Sequence, residues 1–196
     1  MATRKPNLLL IQADQLAPQF LAAYGHPLVK TPNIDRLAEQ GVVFDAAYTN
    51  APLCPPSRFV MMSGRLPSRI AAWDNAVEFS SEIPTFAHYL SAEEYRTCLS
   101  GKMHFIGPDQ LHGFGERLTT DVYPADFTWH PEWDRPNVKL DWYHNMEVVT
   151  KAGICTRAMY MDYDDEVIFL AKRFLFDHAR GSRTSFPADR VHDPTP

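Results

Sequence analysis

The sequence predicts an α/β fold, in which short buried strands of a parallel sheet alternate with helices. Residues 7–12 and 97–100 are short apolar runs, a pattern typical of strands that are buried on both faces. Between these runs, residues 34–38 and 59–62 have the apolar content expected of helices that pack on such a sheet. The chain has 196 residues, of which 45% are hydrophobic and 22% charged, enough for one sizeable core.

Charge and hydropathy exclude two classes of partner. The formal net charge is −5 and no basic run occurs, so we expect no nucleic-acid partner. No run of about 18 apolar residues could cross a membrane, and the basic residues near the N-terminus lack the apolar core of a secretory signal. The expected location is therefore the cytoplasm. Three cysteines, an odd number, imply no disulfide framework.

The first predicted strand, residues 7–12, leads directly to Asp14 and Gln15. In open α/β sheets ligands gather beyond the carboxyl ends of strands, where a carboxylate such as Asp14 can hold a metal. The alternative is a turn residue or a helix cap, which is the more frequent role of an isolated Asp.

A helix is predicted after Thr31, with Asn33 as its N-cap and Gly41 at its C-terminus. It is expected to bury three apolar side chains, Ile34, Leu37 and Ala38. Residues 42–44 are predicted to form a second short strand that leads toward Cys54.

Cys54, Pro56 and Arg58 form the pattern C-x-P-x-R, and the apolar residues 59–62 predict a helix after it. A nucleophile at a helix N-terminus gains from the macrodipole and from free backbone N–H groups, which favour anions. The alternative is that Cys54 is a small packed side chain in a proline-rich loop.

The next helix is predicted to begin at Pro84, and its apolar spacing makes His88 a structural residue. The buried strand at 97–100 then delivers Lys102 and His104. Alternation at the end of a strand places both on the same side. A solvated surface pair is the alternative interpretation of these two residues.

An aromatic-rich span follows, and its side chains are Tyr123, Trp129, Trp133, Trp142 and Tyr143. Aromatic faces attract quaternary ammonium groups by up to about 2 kcal/mol each when the cation is desolvated. The alternative is that these rings pack a long loop.

The last predicted helix opens at Asp162 with acidic residues at its positive end and stops at Gly181. We expect this helix to serve packing, through Val167, Ile168, Leu170, Ala171, Phe174 and Leu175.

Three of these segments together resemble the sulfatase family: C-x-P-x-R at 54–58, T-P-N-I-D-R-L-A at 31–38 and G-K-x-H at 101–104. The resemblance implies the N-terminal part, incomplete, of the three-layer α/β/α fold shared with alkaline phosphatase. It also implies a nucleophile at residue 54, where a formylglycine-generating enzyme oxidises the cysteine to formylglycine. The implied catalytic residues are Cys54, Arg58, Lys102 and His104.

The resemblance further implies a divalent metal, Ca²⁺, Mn²⁺ or Mg²⁺, held by Asp14, Gln15 and the hydrated aldehyde derived from Cys54. Many sulfatases have two adjacent Asp residues where this chain has Asp14 and Gln15, so the site would carry one negative charge fewer. The chain departs from the family again at Glu94, where sulfatases usually have a left-handed Gly. A non-glycine residue there costs on the order of 1 kcal/mol.

Residues 107–145 resemble the choline-sulfatase branch of the family. This implies choline sulfate as the substrate and a pocket lined by Trp129, His144 and Asn145. In the implied reaction, a hydroxyl of the hydrated aldehyde attacks sulfur, while Arg58 and Lys102 offset charge and His104 assists proton transfer.

Resemblance ends near Thr184, so we expect residues 1–183 to be the N-terminal part of a sulfatase catalytic domain and residues 184–196 to be a disordered tail. Later metal and sulfate ligands of the family would be missing from a truncated chain, and activity would be impaired. Two other functions remain open. One is hydrolysis of phosphate mono- or diesters with the same nucleophile, and the other is a non-catalytic fragment.

Overall fold

The computed structural model describes residues 5–129, 134–135, 137–138 and 147–179, and the chain divides into two units. Residues 6–48 form the first unit. Lys5 and the described residues from Thr49 onward form the second unit. The expected tail at 184–196 lies outside the described residues, so the domain limits stay a prediction. Within the described part, no helix combines the length and the apolar character needed to cross a membrane.

Helices of very different length and one strand pair make up the regular structure of the described residues. The α-helices are α1 Pro32–Gln40, α2 Cys54–Ser63, α3 Phe86–Ala92, α4 Glu147–Thr150 and α5 Met159–Ala179. Short 3₁₀ helices lie at Pro18–Phe20, Ala22–Tyr24, Pro67–Arg69 and Phe127–Trp129. Strand β1, Cys98–Leu99, pairs in parallel with β2, Glu116–Arg117. The predicted strand at 97–100 is confirmed by β1, which is shorter than expected.

The predicted strands at 7–12 and 42–44 are wrong, because neither segment is a strand in the structure. Leu8–Ile11 are between 64 and 78% exposed, and Val42 is 78% exposed. A strand needs hydrogen bonds to a neighbouring strand, and the described residues of the 6–48 unit include no strand that could supply them. An apolar run predicts a tendency toward burial, but it does not supply the partner.

Helix α1 begins at Pro32, two residues earlier than the sequence predicts. Thr31 is the N-cap, so Asn33 lies inside the first turn and is not the cap. The hydroxyl of Thr31 donates to a carboxylate oxygen of Asp35 at 2.9 Å, and Gly41 ends the helix as predicted.

The predicted burial on α1 is also wrong. Ile34 is 41% and Leu37 62% exposed, and Ala38 is only half-buried. The 3₁₀ helix at Ala22–Tyr24 is the element that packs beside α1. Amphipathic spacing identifies the face that would be buried, but burial needs a larger surface than one turn of 3₁₀ helix.

The core of the second unit is built around α2. Phe59 stacks on Phe79 with ring centroids 4.4 Å apart, and Phe105 lies 6.3 and 6.2 Å from these two rings. All three are at most 1% exposed, and burial of each ring stabilises the fold by about 1.5–3 kcal/mol. The same core includes Met62, Ile70, Ala72, Ala87, Leu99 and Met103. This packing fixes α2 and therefore the position of the residue that begins it.

Helix α3 is capped by Thr85, so Pro84 lies just outside the helix and not at its first position. The backbone N–H of Thr85 donates to His88 Nδ1 at 3.1 Å, which gives His88 the structural role predicted for it. Glu94, after the helix, has φ +62°, so the left-handed conformation expected at this position is confirmed.

Helix α5 begins at Met159, three residues before the predicted start. Its Tyr163 hydroxyl donates to the carbonyl of Thr120 at 2.9 Å, and its Val167 carbonyl accepts from the Ser100 hydroxyl at 3.0 Å. The predicted packing holds for one face only. Ile168 and Leu175 are 57 and 47% exposed, and Val167, Leu170, Ala171 and Phe174 are half-buried. The predicted stop at Gly181 lies outside the described residues.

Candidate active site

Cys54 is the first residue of α2 and is half-buried, so the predicted helix after the C-x-P-x-R motif is confirmed and starts at the cysteine itself. Pro55 and Pro56 suit the first turn, where a missing backbone N–H leaves no helical hydrogen bond unmade. Gly64 ends the helix in a left-handed conformation, and its N–H donates to Val60 at 2.8 Å. The positive end of the helix dipole therefore lies at Cys54.

The expectation that several free backbone N–H groups surround Cys54 is wrong. Pro55 and Pro56 have no N–H, and the N–H of Ser57 donates to the Leu53 carbonyl at 3.0 Å. Among the first four positions of α2, an anion could therefore receive a backbone hydrogen bond from Cys54 alone. Most of the donors at this site must be side chains.

Two cationic side chains supply positive charge near Cys54. Lys102 Nζ lies 3.5 Å from the sulfur of Cys54. Arg58 is one turn further along the same face of α2, is 5% exposed, and donates from its guanidinium to the Lys102 carbonyl at 2.6 Å. Arg58 thus ties α2 to the loop at 101–104, and three of the four predicted catalytic residues lie in one chain of contacts.

His104 joins this group through an aromatic ring. Its side chain is 1% exposed and stacks on Tyr123 with centroids 4.8 Å apart, and Lys102 Nζ lies 4.4 Å from the centroid of the same ring. Lys102 and His104 thus contact the same ring, which agrees with the expectation that both side chains lie on one side of the chain. The cause is not strand alternation, because β1 ends at Leu99 and His104 has φ +57°.

Asp121, which was not predicted as a site residue, holds the backbone of this loop. Its Oδ2 accepts hydrogen bonds from the N–H of Met103 at 2.9 Å, the N–H of His104 at 2.6 Å and the guanidinium of Arg117 at 3.0 Å. The side chain of Asp121 is 3% exposed. The only signal in the sequence was the spacing of four residues between Arg117 and Asp121. That spacing does not show which backbone N–H groups the Asp121 carboxylate accepts.

The predicted metal ligands are divided between the two units. Asp14 and Gln15 are exposed residues of the 6–48 unit, whereas Cys54 belongs to the second unit. Across the described part of the chain, no group of three or more His, Cys, Asp or Glu side chains could hold a metal ion. A divalent ion of this type takes about six oxygen ligands, so the described residues do not fit the metal by themselves.

The predicted choline pocket lies largely outside the described residues. Trp129 ends a 3₁₀ helix and its side chain is outside the described part, as are His144 and Asn145. The same is true of three other aromatic residues of the predicted span, Trp133, Trp142 and Tyr143. Tyr123, the remaining ring, contacts Lys102 and His104 and lines an open cleft of about 460 Å³ with Asp121.

Burial shifts the pKa of two further titratable groups, one packed in the core and one half-buried in β1. His112 is fully buried between Phe79 and Phe105, at centroid distances of 4.5 and 4.4 Å, and burial lowers the pKa of its imidazole. Burial raises the pKa of the Cys98 thiol to about 12. All three cysteines are free thiols in the structure.

Comparison with known proteins identifies what the chain resembles. The model of the family described as Sulfatase matches residues 6–184. Choline-sulfatase of Rhizobium meliloti (strain 1021) is 50% identical over 181 residues, which are 92% of this chain and 35% of that protein. Arylsulfatase A of Bos taurus is 41% identical over 125 residues, 58% of this chain and 25% of that protein.

Solved structures give the same answer for the fold. A 2-O GAG sulfatase superimposes with a TM-score of 0.53 and 31% identity, over 62% of this chain and 27% of that chain. The chain therefore spans between a quarter and about a third of the length of these relatives. The prediction of an α/β, alkaline-phosphatase-like fold, present as an N-terminal portion, is confirmed.

Proposed function

The chain belongs to the sulfatase family, and from this premise we propose that it is a sulfuric ester hydrolase of the choline-sulfatase type. Its products would be choline and inorganic sulfate. The observation that carries the proposal is the 50% identity with choline-sulfatase of Rhizobium meliloti over 92% of the chain. The contacts among Cys54, Arg58 and Lys102 support it, because they place cationic groups beside the residue expected to be the nucleophile.

The half-buried start of α2 suits a nucleophile derived from Cys54. Converted to formylglycine by a formylglycine-generating enzyme and then hydrated, residue 54 would supply one hydroxyl that attacks sulfur and displaces choline. The second hydroxyl would then give up its proton, so that the aldehyde re-forms and sulfate is released. The adjacent Lys102 ammonium and the positive end of the helix dipole would offset the negative charge that develops on the sulfuryl oxygens. Arg58 would add a second positive charge and hold the Lys102 backbone in place.

His104 is proposed as the group that moves a proton. Its ring is 1% exposed and held against Tyr123, so its orientation is set before substrate binds. Proton transfer to or from a ring nitrogen of His104 would assist the hydroxyl at residue 54. The family implies a divalent metal in general, but the described residues do not form its site, so no step here depends on it.

The direct test is sulfate release by the full 196-residue chain, co-produced with a formylglycine-generating enzyme and supplied with Mn²⁺ or Ca²⁺. We expect release of sulfate from choline sulfate, and loss of release in Cys54→Ala. Phosphocholine is the matched substrate and should be cleaved more slowly. Faster cleavage of phosphocholine would favour a phosphate ester hydrolase, and no cleavage of either would favour a non-catalytic fragment.

Location in the cytoplasm is a separate proposal that comes from the sequence alone. Fractionation of cells that produce the chain with a small C-terminal tag tests it. Recovery of the chain with membranes or in the medium would contradict the proposal.

A further inference from the structure

The loop at 101–104 is held from two sides. On one side, Arg58 donates to the Lys102 carbonyl at 2.6 Å. On the other side, residues 117–123 receive the loop's N–H groups. Thr119 Oγ1 accepts from Gly101 at 2.8 Å, and Asp121 Oδ2 accepts from Met103 and His104 at 2.9 and 2.6 Å.

Asp121 is the centre of the second side. One carboxylate oxygen accepts two successive backbone N–H groups and a guanidinium N–H of Arg117. The other oxygen lies 3.4 Å from the backbone nitrogen of Tyr123. The Asp121 side chain is 3% and the Arg117 side chain 9% exposed, and hydrogen bonds to a charged group are stronger than those between neutral groups.

This arrangement accounts for the backbone of His104. At φ +57° His104 is in the left-handed region, which is unfavourable for a residue with a Cβ. Such a conformation persists where the surroundings compel it. The paired N–H groups of Met103 and His104 on Asp121 Oδ2 provide that constraint, and they also fix the direction of the His104 side chain.

Asp121 also helps to position the ring of Tyr123, which both Lys102 and His104 contact. Tyr123 follows Asp121 by two residues, and its ring receives Lys102 Nζ at 4.4 Å and stacks on His104 at 4.8 Å. We infer that Asp121 is a positioning residue, which sets Lys102 and His104 against Tyr123 and thereby aims them at residue 54. This inference rests on the proposed function for its catalytic meaning, but the positioning itself can be measured without turnover.

A matched control exists in the same unit. Asp109 Oδ1 accepts the backbone N–H groups of Leu111 and His112 at 2.9 and 3.0 Å, and His112 also has a positive φ, +42°. Its ring packs on Phe79 and Phe105 in the core. Asp109 therefore performs the same backbone task for a histidine outside the candidate site.

The test compares Asp121→Asn and Asp121→Ala with Asp109→Asn in the full-length chain by NMR. The signals are the Lys102 side-chain methylenes and the ring protons of His104, both shifted by Tyr123, and the ring protons of His112, shifted by the two phenylalanines. We expect the Asp121 variants to lose the Lys102 and His104 shifts while the His112 shifts stay, and Asp109→Asn to do the reverse.

Unchanged Lys102 and His104 signals in both Asp121 variants would overturn the inference. Simultaneous loss of the His112 signals in both would also overturn it, because Asp121 would then support the whole unit. In turnover of choline sulfate we expect Asp121→Asn to lower kcat by about 10²-fold with a smaller change in KM, since small misplacement of catalytic groups has that effect. If the wild-type chain releases no sulfate but the NMR pattern holds, the proposed function fails and the positioning stands.

Discussion

Among single residues, Lys102 contacts both the candidate nucleophile and the elements that hold the loop at 101–104. Its ammonium lies beside the Cys54 sulfur and over the Tyr123 ring, and its carbonyl accepts from Arg58. The G-K-x-H motif singled out Lys102 in the sequence, and the structure places its ammonium 3.5 Å from the Cys54 sulfur; its catalytic role stays a prediction. Asp121 could not be predicted, because its partners are backbone N–H groups whose direction depends on the folded loop.

Replacement of Lys102 by Met should remove the positive charge while it keeps most of the side-chain volume. We expect sulfate release from choline sulfate to fall by about 10²–10³-fold, the usual loss when one group that stabilises developing charge is removed. Lys172→Met, on an exposed position of α5, is the control and should retain activity. Equal activity of the two variants would show that Lys102 does not act on the reacting group.

A second residue-scale prediction concerns His112 and pH. Burial lowers the pKa of its imidazole below the ordinary value of 6.5, with Asp109 opposing the shift. The unfolded chain then binds a proton near pH 6.5 that the folded chain does not, so the free energy of unfolding should fall as pH drops from 6.5 toward the lowered pKa. Urea denaturation across this range measures it. In His112→Gln this part of the pH dependence should vanish, and its persistence would assign the effect to another group.

Among the helices and strands, sequence patterns predicted the elements whose packing or pairing partners the structure describes. Helix α2 was predicted from the apolar residues 59–62, and in the structure Phe59 on this helix packs on Phe79 and Phe105. The strand at 97–100 was predicted and finds β2 as its neighbour. The strands at 7–12 and 42–44 failed because pairing depends on segments far away in sequence, which local patterns do not report.

The turn that follows His112 gives an element-scale prediction about the packing of α3. A Cβ on Gly113 would lie 2.5 Å from His88 Nδ1 and 2.6 Å from its backbone nitrogen, and Gly113 has φ +93°. Gly64 has a positive φ as well, +66°, but among the described residues no heavy atom beyond its chain neighbours lies within 4 Å of its Cβ position.

Gly64→Ala should therefore destabilise the protein by about 1 kcal/mol, from the left-handed conformation alone. Gly113→Ala should cost about 1–3 kcal/mol more because the new methyl group overpacks α3. Chemical denaturation of both variants gives the difference. Equal costs would mean that the turn moves away from His88 freely.

At the scale of the whole molecule, the apolar surface of the first unit is its most unusual property. Leu8, Leu9, Leu10 and Ile11 are consecutive and at least 64% exposed. Consecutive exposed apolar residues promote association, because water favours their burial against another surface.

A double substitution, Leu9→Lys with Ile11→Lys, should reduce aggregation measured by light scattering at equal protein concentration. Gln12→Lys is the matched control, since it adds charge at an exposed neighbouring position without removing apolar surface. If the control suppresses aggregation as strongly as the double variant, a positive charge placed on this segment and not the loss of apolar exposure is the cause.

Conversion of residue 54 to an aldehyde at the start of α2 would change the mass of the tryptic peptide Leu37–Arg58. Chain co-produced with a formylglycine-generating enzyme should yield this peptide about 18 Da lighter than the thiol form, since the Cβ–SH group becomes a carbonyl. The same chain produced without that enzyme supplies the unconverted thiol reference. A peptide recovered entirely at the thiol mass would contradict the account.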